Sequence, residues 1–270
     1  MPHPGLPKLI ATDLDGTLVR SDDSVSAYTC EVLDRVRAAG IRIVGATGRG
    51  PRLAELTRND IRAADFLVLA QGGWVVDLAD PVPLRAERLP GRVVAQVLAD
   101  LEAEVGPLSV MVEALDYPDA PLWGDLDPTW RYPVVVRERP RAECLTGNVI
   151  KAFARAFDRD VDDVLAAAQR IVPAGVASVT QAGLDYVEIC PPDVDKGTGL
   201  AVVAQSVGVD PADVLVFGDM PNDLPMFAWA GWSRVAVANA HPSILAVADE
   251  VTLTNDDDGV AVYLDRLLSH

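Results

Sequence analysis

Side chains with hard oxygen or amide groups follow three of the short apolar runs in the sequence, where each run ends. In an open α/β sheet, ligands bind in the crevice beyond the carboxyl ends of the strands, so we expect these side chains to converge there. Carboxylates this close repel one another unless a cation lies among them, and hard oxygen ligands favour Mg²⁺, which takes its remaining coordination from water and substrate phosphate. The side chains are those of Asp13, Asp15, Thr47, Asp219, Asn222 and Asp223.

The runs that precede these residues are typical of buried parallel strands, because they are short, apolar and end on polar or Gly-rich residues. Helical patterns alternate with them: 26–39 stops at Gly40, and 197–207 stops at Gly208. We therefore predict an α/β fold with a doubly wound, Rossmann-like parallel sheet. The predicted strands are 8–12, 41–46, 66–70, 214–218 and 235–238.

The middle of the chain has a different pattern, typical of an inserted α+β domain. It contains helices at 92–105 and 161–170, strands at 108–112 and 148–153, a loop at 117–133 rich in Pro, Trp and Asp, and a closing strand pair, 176–181 and 185–190, around Gly183. The predicted domains are a catalytic core, 1–82 and 189–270, and an inserted cap, 83–188.

The stretch Asp13-Leu14-Asp15-Gly16-Thr17 resembles the first motif of the haloacid dehalogenase (HAD) superfamily of phosphotransferases. The resemblance implies that Asp13 is the nucleophile and Asp15 the general acid and base. Chemistry supports both roles: a carboxylate can form an acyl phosphate, and a second carboxyl can protonate the leaving alcohol and later deprotonate water. Gly16 would let the chain turn sharply away from the site.

Three further motifs follow in the order that the superfamily has them. Thr47, in Thr47-Gly48-Arg49, matches the second, whose hydroxyl donates to the phosphoryl group. Lys196 matches the third, a fixed cation that neutralises charge on the phosphoryl oxygens, and Asp219 matches the metal ligand of the fourth. The resemblance implies a Mg²⁺ shell of Asp13, the backbone carbonyl of Asp15, and Asp219, with Asp223 supporting the metal's waters and Lys196. It implies phosphate binding by Thr47, Gly48, Arg49, Lys196 and Asn222.

The spacing of the motifs places the insertion between Thr47 and Lys196. This arrangement resembles the Cof-type sugar-phosphate phosphatases of the superfamily, along the full chain. Two departures stand out: Gln71-Gly72-Gly73 replaces a common Asn-Gly-Ala, and Pro221 stands where an acidic residue is common. Gln71 could alter contacts at the junction of core and cap, which affects the choice of substrate rather than the chemistry.

Several other residues invite a functional reading. Arg49 could clamp substrate or cap a helix, and the sequence leaves both open. Lys151 could point into the site or be a solvated strand residue, and we expect solvation. The aromatic side chains of the cap loop are expected to pack against the cap sheet. These are Trp123, Trp130 and Tyr132, while His3, His241 and His270 are too scattered for a metal or acid/base site.

Composition excludes other classes of function. The chain has 23 Lys and Arg against 40 Asp and Glu, a net charge of −17, which disfavours nucleic-acid and membrane-surface partners. Cys30, Cys144 and Cys190 form neither a disulfide framework nor a zinc pattern and read as reduced thiols. With no leader pattern or long apolar segment, the chain is predicted to be cytoplasmic.

These features together predict a Mg²⁺-dependent phosphatase that hydrolyses a small phosphorylated metabolite, such as a sugar phosphate, through an aspartyl-phosphate intermediate. Two alternatives stay open. A phosphomutase of the same superfamily would pass the phosphoryl group to a second hydroxyl, and a phospho-ligand sensor would keep the site without turnover.

Overall fold

The computed structural model describes residues 5–126, 130, 136–181 and 185–269, and in it the chain forms two compact units. The described residues of the first unit are 5–47, 55–85 and 195–269; those of the second are 48–54 and 86–194 without the gaps. Segment 48–54, which we expected in the core, belongs to the second unit, since Gly48 and Arg52 there contact Lys151 and Glu113.

The elements are named in chain order. They are β1 (Leu9–Thr12), α1 (Ala27–Ala38), β2 (Arg42–Ala46), α2 (Ala54–Asp60), β3 (Phe66–Leu69), β4 (Trp74–Asp77), β5 (Arg85–Ala86), β6 (Leu89–Pro90), α3 (Gly91–Val105), β7 (Ser109–Glu113), β8 (Leu122–Gly124), β9 (Val136–Glu138), α4 (Arg141–Cys144), β10 (Asn148–Val149), β11 (Lys151–Arg155), α5 (Val161–Ile171), β12 (Ser178–Gln181), β13 (Val187–Cys190), α6 (Lys196–Val207), β14 (Val214–Gly218), α7 (Leu224–Trp229), β15 (Ser233–Ala236), α8 (Pro242–Leu245), β16 (Glu250–Val251) and α9 (Gly259–Leu268).

The first unit is built on an eight-stranded sheet of order β16-β15-β14-β1-β2-β3-β4-β5. The strands from β16 to β3 are parallel, which confirms the predicted α/β class. The central strands β1 and β14 are buried along their whole length, as their unbroken apolar runs predict. Strand β4 was not predicted; it returns antiparallel to β3 after the turn at Gln71-Gly72-Gly73.

Caps define the helices that flank this sheet. Ser26 accepts a hydrogen bond from the Thr29 amide at the start of α1. Asp195 and Thr198 form a reciprocal capping box at the start of α6, so that helix begins at Lys196. It ends at Gly208, whose φ of 67° is the left-handed conformation that glycine adopts without strain. The capping box fixes the backbone of Lys196 in the first turn of α6.

The second unit has a six-stranded sheet of order β12-β13-β11-β7-β8-β9, antiparallel except between β8 and β9. Apolar residues of α3 and α5 form a core with one sheet face, which includes Val112, Ala154 and Ile189. Two predictions were wrong here. The strand expected over 148–153 breaks at Ile150, because Val149 pairs with Leu89 in a separate ladder while β11 joins the main sheet. The loop expected over 117–133 contains β8.

Some predicted features concern single residues and the lengths of the helices. Gly183, Tyr132, His3 and His270 lie outside the described residues. Cys30, Cys144 and Cys190 are free thiols. Within the described ranges, each helix is too short or too polar to cross a membrane.

Candidate active site

Three buried carboxylates converge at the carboxyl ends of the two central strands. Asp13 follows β1, Asp219 follows β14, and Asp223 lies one turn further on. Each offers an oxygen such that the three atoms lie within 4.8 Å of one another. The backbone of Asp13 is fixed against β14, because its amide donates to the carbonyl of Phe217 at 3.0 Å. The predicted convergence of polar residues is therefore present for these three.

Lys196 supplies the positive charge within this group. Its Nζ lies 2.7 Å from Asp13 Oδ1 and 2.6 Å from Asp223 Oδ1, and the side chain is fully buried. Burial lowers the pKa of Lys196, but the two carboxylates outweigh it, so the net shift is upward. Lys196 therefore stays an ammonium and orients the Asp13 carboxylate.

Asp223 has both of its carboxylate oxygens engaged. While Oδ1 accepts from Lys196, Oδ2 accepts from the backbone amides of Asp219 and Met220 at 2.9 and 3.0 Å. A Cβ on Gly218 would lie 2.6 Å from the same Oδ2, so only glycine fits there. This geometry makes Asp223 a residue that fixes the loop carrying Asp219, in keeping with its predicted supporting role.

Asp219 is held from the other side by the first motif. Thr17 Oγ1 donates to Asp219 Oδ1 at 2.6 Å. Gly16 has a φ of +88°, and a Cβ on it would lie 2.6 Å from Asp219 Oδ2. The sequence analysis gave Thr17 no role, although its place as the last residue of Asp13-Leu14-Asp15-Gly16-Thr17 was a signal that could have found it.

The two carboxylates with metal-ligand roles in the prediction carry raised pKa values. Burial, with Asp223 adding to it, raises the pKa of Asp219 to about 6, against a lowering contribution from Thr17. Burial also raises the pKa of Asp13 well above its ordinary value, although Lys196 opposes this. Both shifts come first from burial of the charged form, and the neighbouring carboxylates add to them.

A divalent cation fits this donor set. The ligands are all hard carboxylate oxygens, they lie within 4.8 Å, and the raised pKa values of Asp13 and Asp219 show that more positive charge would be accommodated. The cluster does not include the Asp15 carboxylate, and the prediction assigned only the backbone carbonyl of Asp15 to the metal.

The other predicted residues of the first unit lie around this cluster. Asp15 is half-buried just beyond β1. Thr47 is buried at the end of β2, where its amide donates to Val68 and its carbonyl accepts from Gln71. Because β2 pairs directly with β1, Thr47 and Asp13 follow neighbouring strands.

Gln71 and Asn222 form a buried hydrogen bond of 3.2 Å from Asn222 Nδ2 to Gln71 Oε1. Asn222 Oδ1 is buried and accepts no hydrogen bond from the described residues. Gln71 thus supports a predicted phosphate-binding residue from within the first unit. Pro221 opens the short 3₁₀ turn Pro221–Asp223, a position that its fixed φ suits.

Gly48 and Arg49 belong to the second unit, and the Arg49 side chain is buried. Lys151 accompanies them, and the prediction that it is solvated was wrong: it is 1% exposed. Its Nζ donates to Glu188 Oε1 at 2.6 Å and to the carbonyl of Gly48. Strand alternation alone does not reveal this burial, because the partners lie on β13 and in segment 48–54.

A second buried ion pair lies beside the first. Glu113 is fully buried, and its Oε2 lies 3.4 Å from Arg52 Nε. A Cβ on Gly50 would collide with the same carboxylate. As expected, Trp130 packs on this sheet, edge-to-face with Phe153 at a centroid distance of 5.1 Å.

Trp123 contacts a different group, the guanidinium of Arg139, which lies 3.8 Å above its ring. His241 caps α8 by accepting from the Ser243 amide. Its backbone amide donates to the carbonyl of Asp219 at 2.8 Å, so the main chain of His241 supports the loop that carries Asp219.

Clustered carboxylates and a lysine lie at the carboxyl edge of a parallel sheet, an arrangement suited to a hydrolase of phosphate esters. Comparison with known proteins identifies the family. The chain belongs to the haloacid dehalogenase-like hydrolase family, whose profile matches residues 10–264. The predicted resemblance to this superfamily is confirmed.

Relatives and solved structures extend over nearly the whole chain. A 5-amino-6-(5-phospho-D-ribitylamino)uracil phosphatase of Bacillus subtilis is 28% identical, over 97% of this chain and 98% of its own. A phosphoglycolate phosphatase of Haloarcula marismortui is 30% identical, over 96% and 98%. The crystal structure of a haloacid dehalogenase-like hydrolase from Bacteroides thetaiotaomicron superposes with a TM-score of 0.76 at 29% identity, over 97% and 99% of the two chains.

Proposed function

We propose that this chain is a Mg²⁺-dependent phosphatase that hydrolyses a small phosphomonoester through a phosphorylated Asp13. The observation that carries the proposal is the arrangement of Lys196, bonded to Asp13 and Asp223 beside Asp219. The family and the phosphatase names of the relatives support hydrolysis of a small phosphorylated substrate.

In the first step, a carboxylate oxygen of Asp13 attacks phosphorus, and the bond from phosphorus to the ester oxygen breaks. Asp15 donates its proton to the departing alkoxide, so the alcohol leaves neutral. Lys196 keeps Asp13 oriented and neutralises charge on the phosphoryl oxygens. Thr47, Gly48, Arg49 and Asn222 are the proposed contacts of the phosphoryl group.

In the second step, Asp15 takes a proton from water, whose oxygen attacks the phosphorus of the acyl phosphate. The bond from phosphorus to Asp13 breaks, which releases phosphate and restores both carboxyl groups. Asp13, Asp219 and the carbonyl of Asp15 are the proposed ligands of Mg²⁺, with Asp223 behind them. When bound, the ion supplies positive charge that stabilises the transferring phosphoryl group.

The second unit is proposed to be the cap that selects the leaving group, and the first unit to be the catalytic core. Relatives act on phosphomonoesters of different size, judging by their names. We therefore propose a common phosphoryl chemistry in the first unit and a substrate choice made by the second.

The test compares three variants on an aryl phosphate and an alkyl phosphate in Mg²⁺. Asp13→Asn should lower phosphate release from both by at least about 10³-fold. Asp15→Ala should slow the alkyl ester by about 10²–10⁴-fold and the aryl ester less, because a good leaving group needs no proton. Asp34→Asn, on the exposed face of α1, is the matched control and should retain wild-type rates. Undiminished turnover by Asp13→Asn would overturn the nucleophile.

The same reaction separates the alternatives. Phosphorus NMR of the products shows free phosphate for a phosphatase and a new phosphate ester for a phosphomutase. Label transferred from radioactive substrate to wild-type enzyme in an acid quench should be lost in Asp13→Asn. Absence of any turnover across a panel of phosphorylated metabolites would favour the sensor.

A further inference from the structure

A cleft lined by arginines lies in the first unit, at the end of the sheet opposite the catalytic carboxylates. Its volume is about 260 Å³. Arg42 is the first residue of β2, whereas Thr47 follows the last residue of the same strand. Five residues of strand separate the two by roughly 16 Å. An ion bound in this cleft would thus not contact Asp13. The charged side chains that line the cleft are Arg37, Arg42, Arg58, Arg62, Asp65 and Asp77.

Both carboxylates that line the cleft accept hydrogen bonds from backbone amides of the protein. Asp65 accepts from the amide of Ile43 at 3.0 Å and pairs with Arg37 at 3.4 Å. Asp77 accepts from the amide of Ala79 at 2.8 Å. The first bond ties the start of β3 to β2, and the second fixes the turn after β4, so both carboxylates have a role in the fold.

Three of the arginines lack such partners. Within the described parts of the chain, Arg42, Arg58 and Arg62 form no ion pair or side-chain hydrogen bond, and all three are exposed. In a chain with 40 acidic and 23 basic residues, an unpaired arginine has many carboxylates available. Three of them around one cleft therefore indicate a ligand that is not part of the protein.

Helix dipoles account for only part of this arrangement. Arg37 and Arg58 lie in the last turns of α1 and α2, where a positive charge is favourable. Arg62 follows α2 by two residues, but Arg42 begins a strand and gains nothing from a helix C-terminus. The convergence of all four needs a further reason.

We propose that this cleft binds a phosphoryl dianion, either free phosphate or the phosphate group of a small metabolite. Four guanidinium groups against two carboxylates leave a net charge of +2, which a dianion balances and a monocarboxylate does not. The planar fork of arginine binds two phosphoryl oxygens at once. This site is separate from the one in the proposed function and does not depend on it.

Site-resolved chemical protection tests the proposal. Phenylglyoxal modifies exposed arginines, and peptide mass spectrometry reads each position in the full-length protein. In EDTA, inorganic phosphate should slow modification of Arg42, Arg58 and Arg62 severalfold and leave Arg92, an exposed arginine of α3, unchanged. Equal protection of Arg92, or equal protection by chloride at the same ionic strength, would overturn it. Tighter protection by glycerol phosphate than by phosphate identifies a metabolite, and the reverse identifies free phosphate.

Arginine variants of the cleft provide a second test of the proposal. The double variant Arg58→Gln/Arg62→Gln should bind phosphate at least about tenfold more weakly by calorimetry in EDTA, because it loses charge-assisted hydrogen bonds. Arg92→Gln removes the same charge elsewhere and should bind as the wild type does. The conservative Arg58→Lys keeps the charge without the fork and should weaken binding less than the double variant. Wild-type affinity in the double variant would rule out the site.

Discussion

Asp219 carries a thermodynamic penalty that a cation would relieve. Its carboxylate is 6% exposed, lies beside Asp13 and Asp223, and has a pKa raised to about 6. Between pH 3.8 and 6 the folded protein holds a proton there that the unfolded chain has lost, so stability falls as pH rises through this window. At neutral pH the penalty is fully present. The residue is therefore kept for binding rather than for stability.

Asp219→Asn should consequently stabilise the metal-free protein. In EDTA at pH 7.5 we expect its free energy of unfolding to exceed that of the wild type by about 1–3 kcal/mol. This gain should fall to about half near pH 5 and vanish only below pH 3.8, where the unfolded chain is protonated as well. Turnover in Mg²⁺ should be lost. Urea unfolding at the two pH values measures the effect.

The matched control for this prediction is Asp265→Asn. The pKa of Asp265 is lowered by hydrogen bonds from Arg35 and Tyr28, so its loss should slightly destabilise the protein at pH 7.5. If Asp219→Asn were as stable as or less stable than wild type in EDTA, the buried carboxylate would not be under the strain described.

For single residues, the sequence predicts the charged groups of the site better than it predicts the side chains that contact or surround them. The placement of Asp13, Thr47 and Asp219 at the ends of apolar runs was sufficient to expect convergence, because strand polarity decides which ends meet. Lys196 was predicted from the resemblance of its motif. Thr17 and Lys151 were missed or misjudged. The partners of both side chains lie more than 30 residues away, so no local pattern shows which atoms they contact. Only Thr17 has a local signal, its place in the first motif.

Among the elements, the parallel strands were predictable and the short antiparallel ones were not. A buried parallel strand such as β14 is apolar throughout, so it is distinct in the sequence. In contrast, β8 has three residues and β10 has two, and their pairing is decided by contacts with other strands. Local propensity carries little information over such lengths.

A buried ion pair connects β11 with β13, and its removal gives a prediction at the scale of the elements. Lys151→Met removes the ammonium that lies 2.6 Å from Glu188, and breaking a buried pair in this way should cost about 3–5 kcal/mol. The double variant Lys151→Met/Glu188→Met should recover much of that loss, because neither charge is then buried. Urea unfolding of both variants measures the coupling.

Lys8 is the matched control for Lys151. It forms an ion pair of similar length, 2.7 Å to Asp213, but its side chain is 66% exposed. Lys8→Met should therefore cost far less than Lys151→Met, because water screens the exposed pair. Equal costs for the two lysines would show that burial does not distinguish them.

At the scale of the whole molecule, the two units have separate cores and a convenient set of probes. Trp74, Trp229 and Trp232 lie in the first unit, and Trp123 and Trp130 in the second. A unit with its own hydrophobic core can unfold on its own. In the Trp123→Phe/Trp130→Phe variant, tryptophan fluorescence therefore reports the unfolding of the first unit alone.

We expect Mg²⁺ to stabilise the first unit selectively, since its proposed ligands all lie there. At a concentration about 100 times the dissociation constant, binding to the folded state adds about 2.7 kcal/mol. In Trp123→Phe/Trp130→Phe, the urea midpoint of the first unit should rise with Mg²⁺. The wild type should show an additional transition, reported by Trp123 and Trp130 of the second unit, and its midpoint should not change. Asp219→Asn should lose the shift. Coincident transitions that move together with Mg²⁺ would instead show that the two units unfold as one cooperative body.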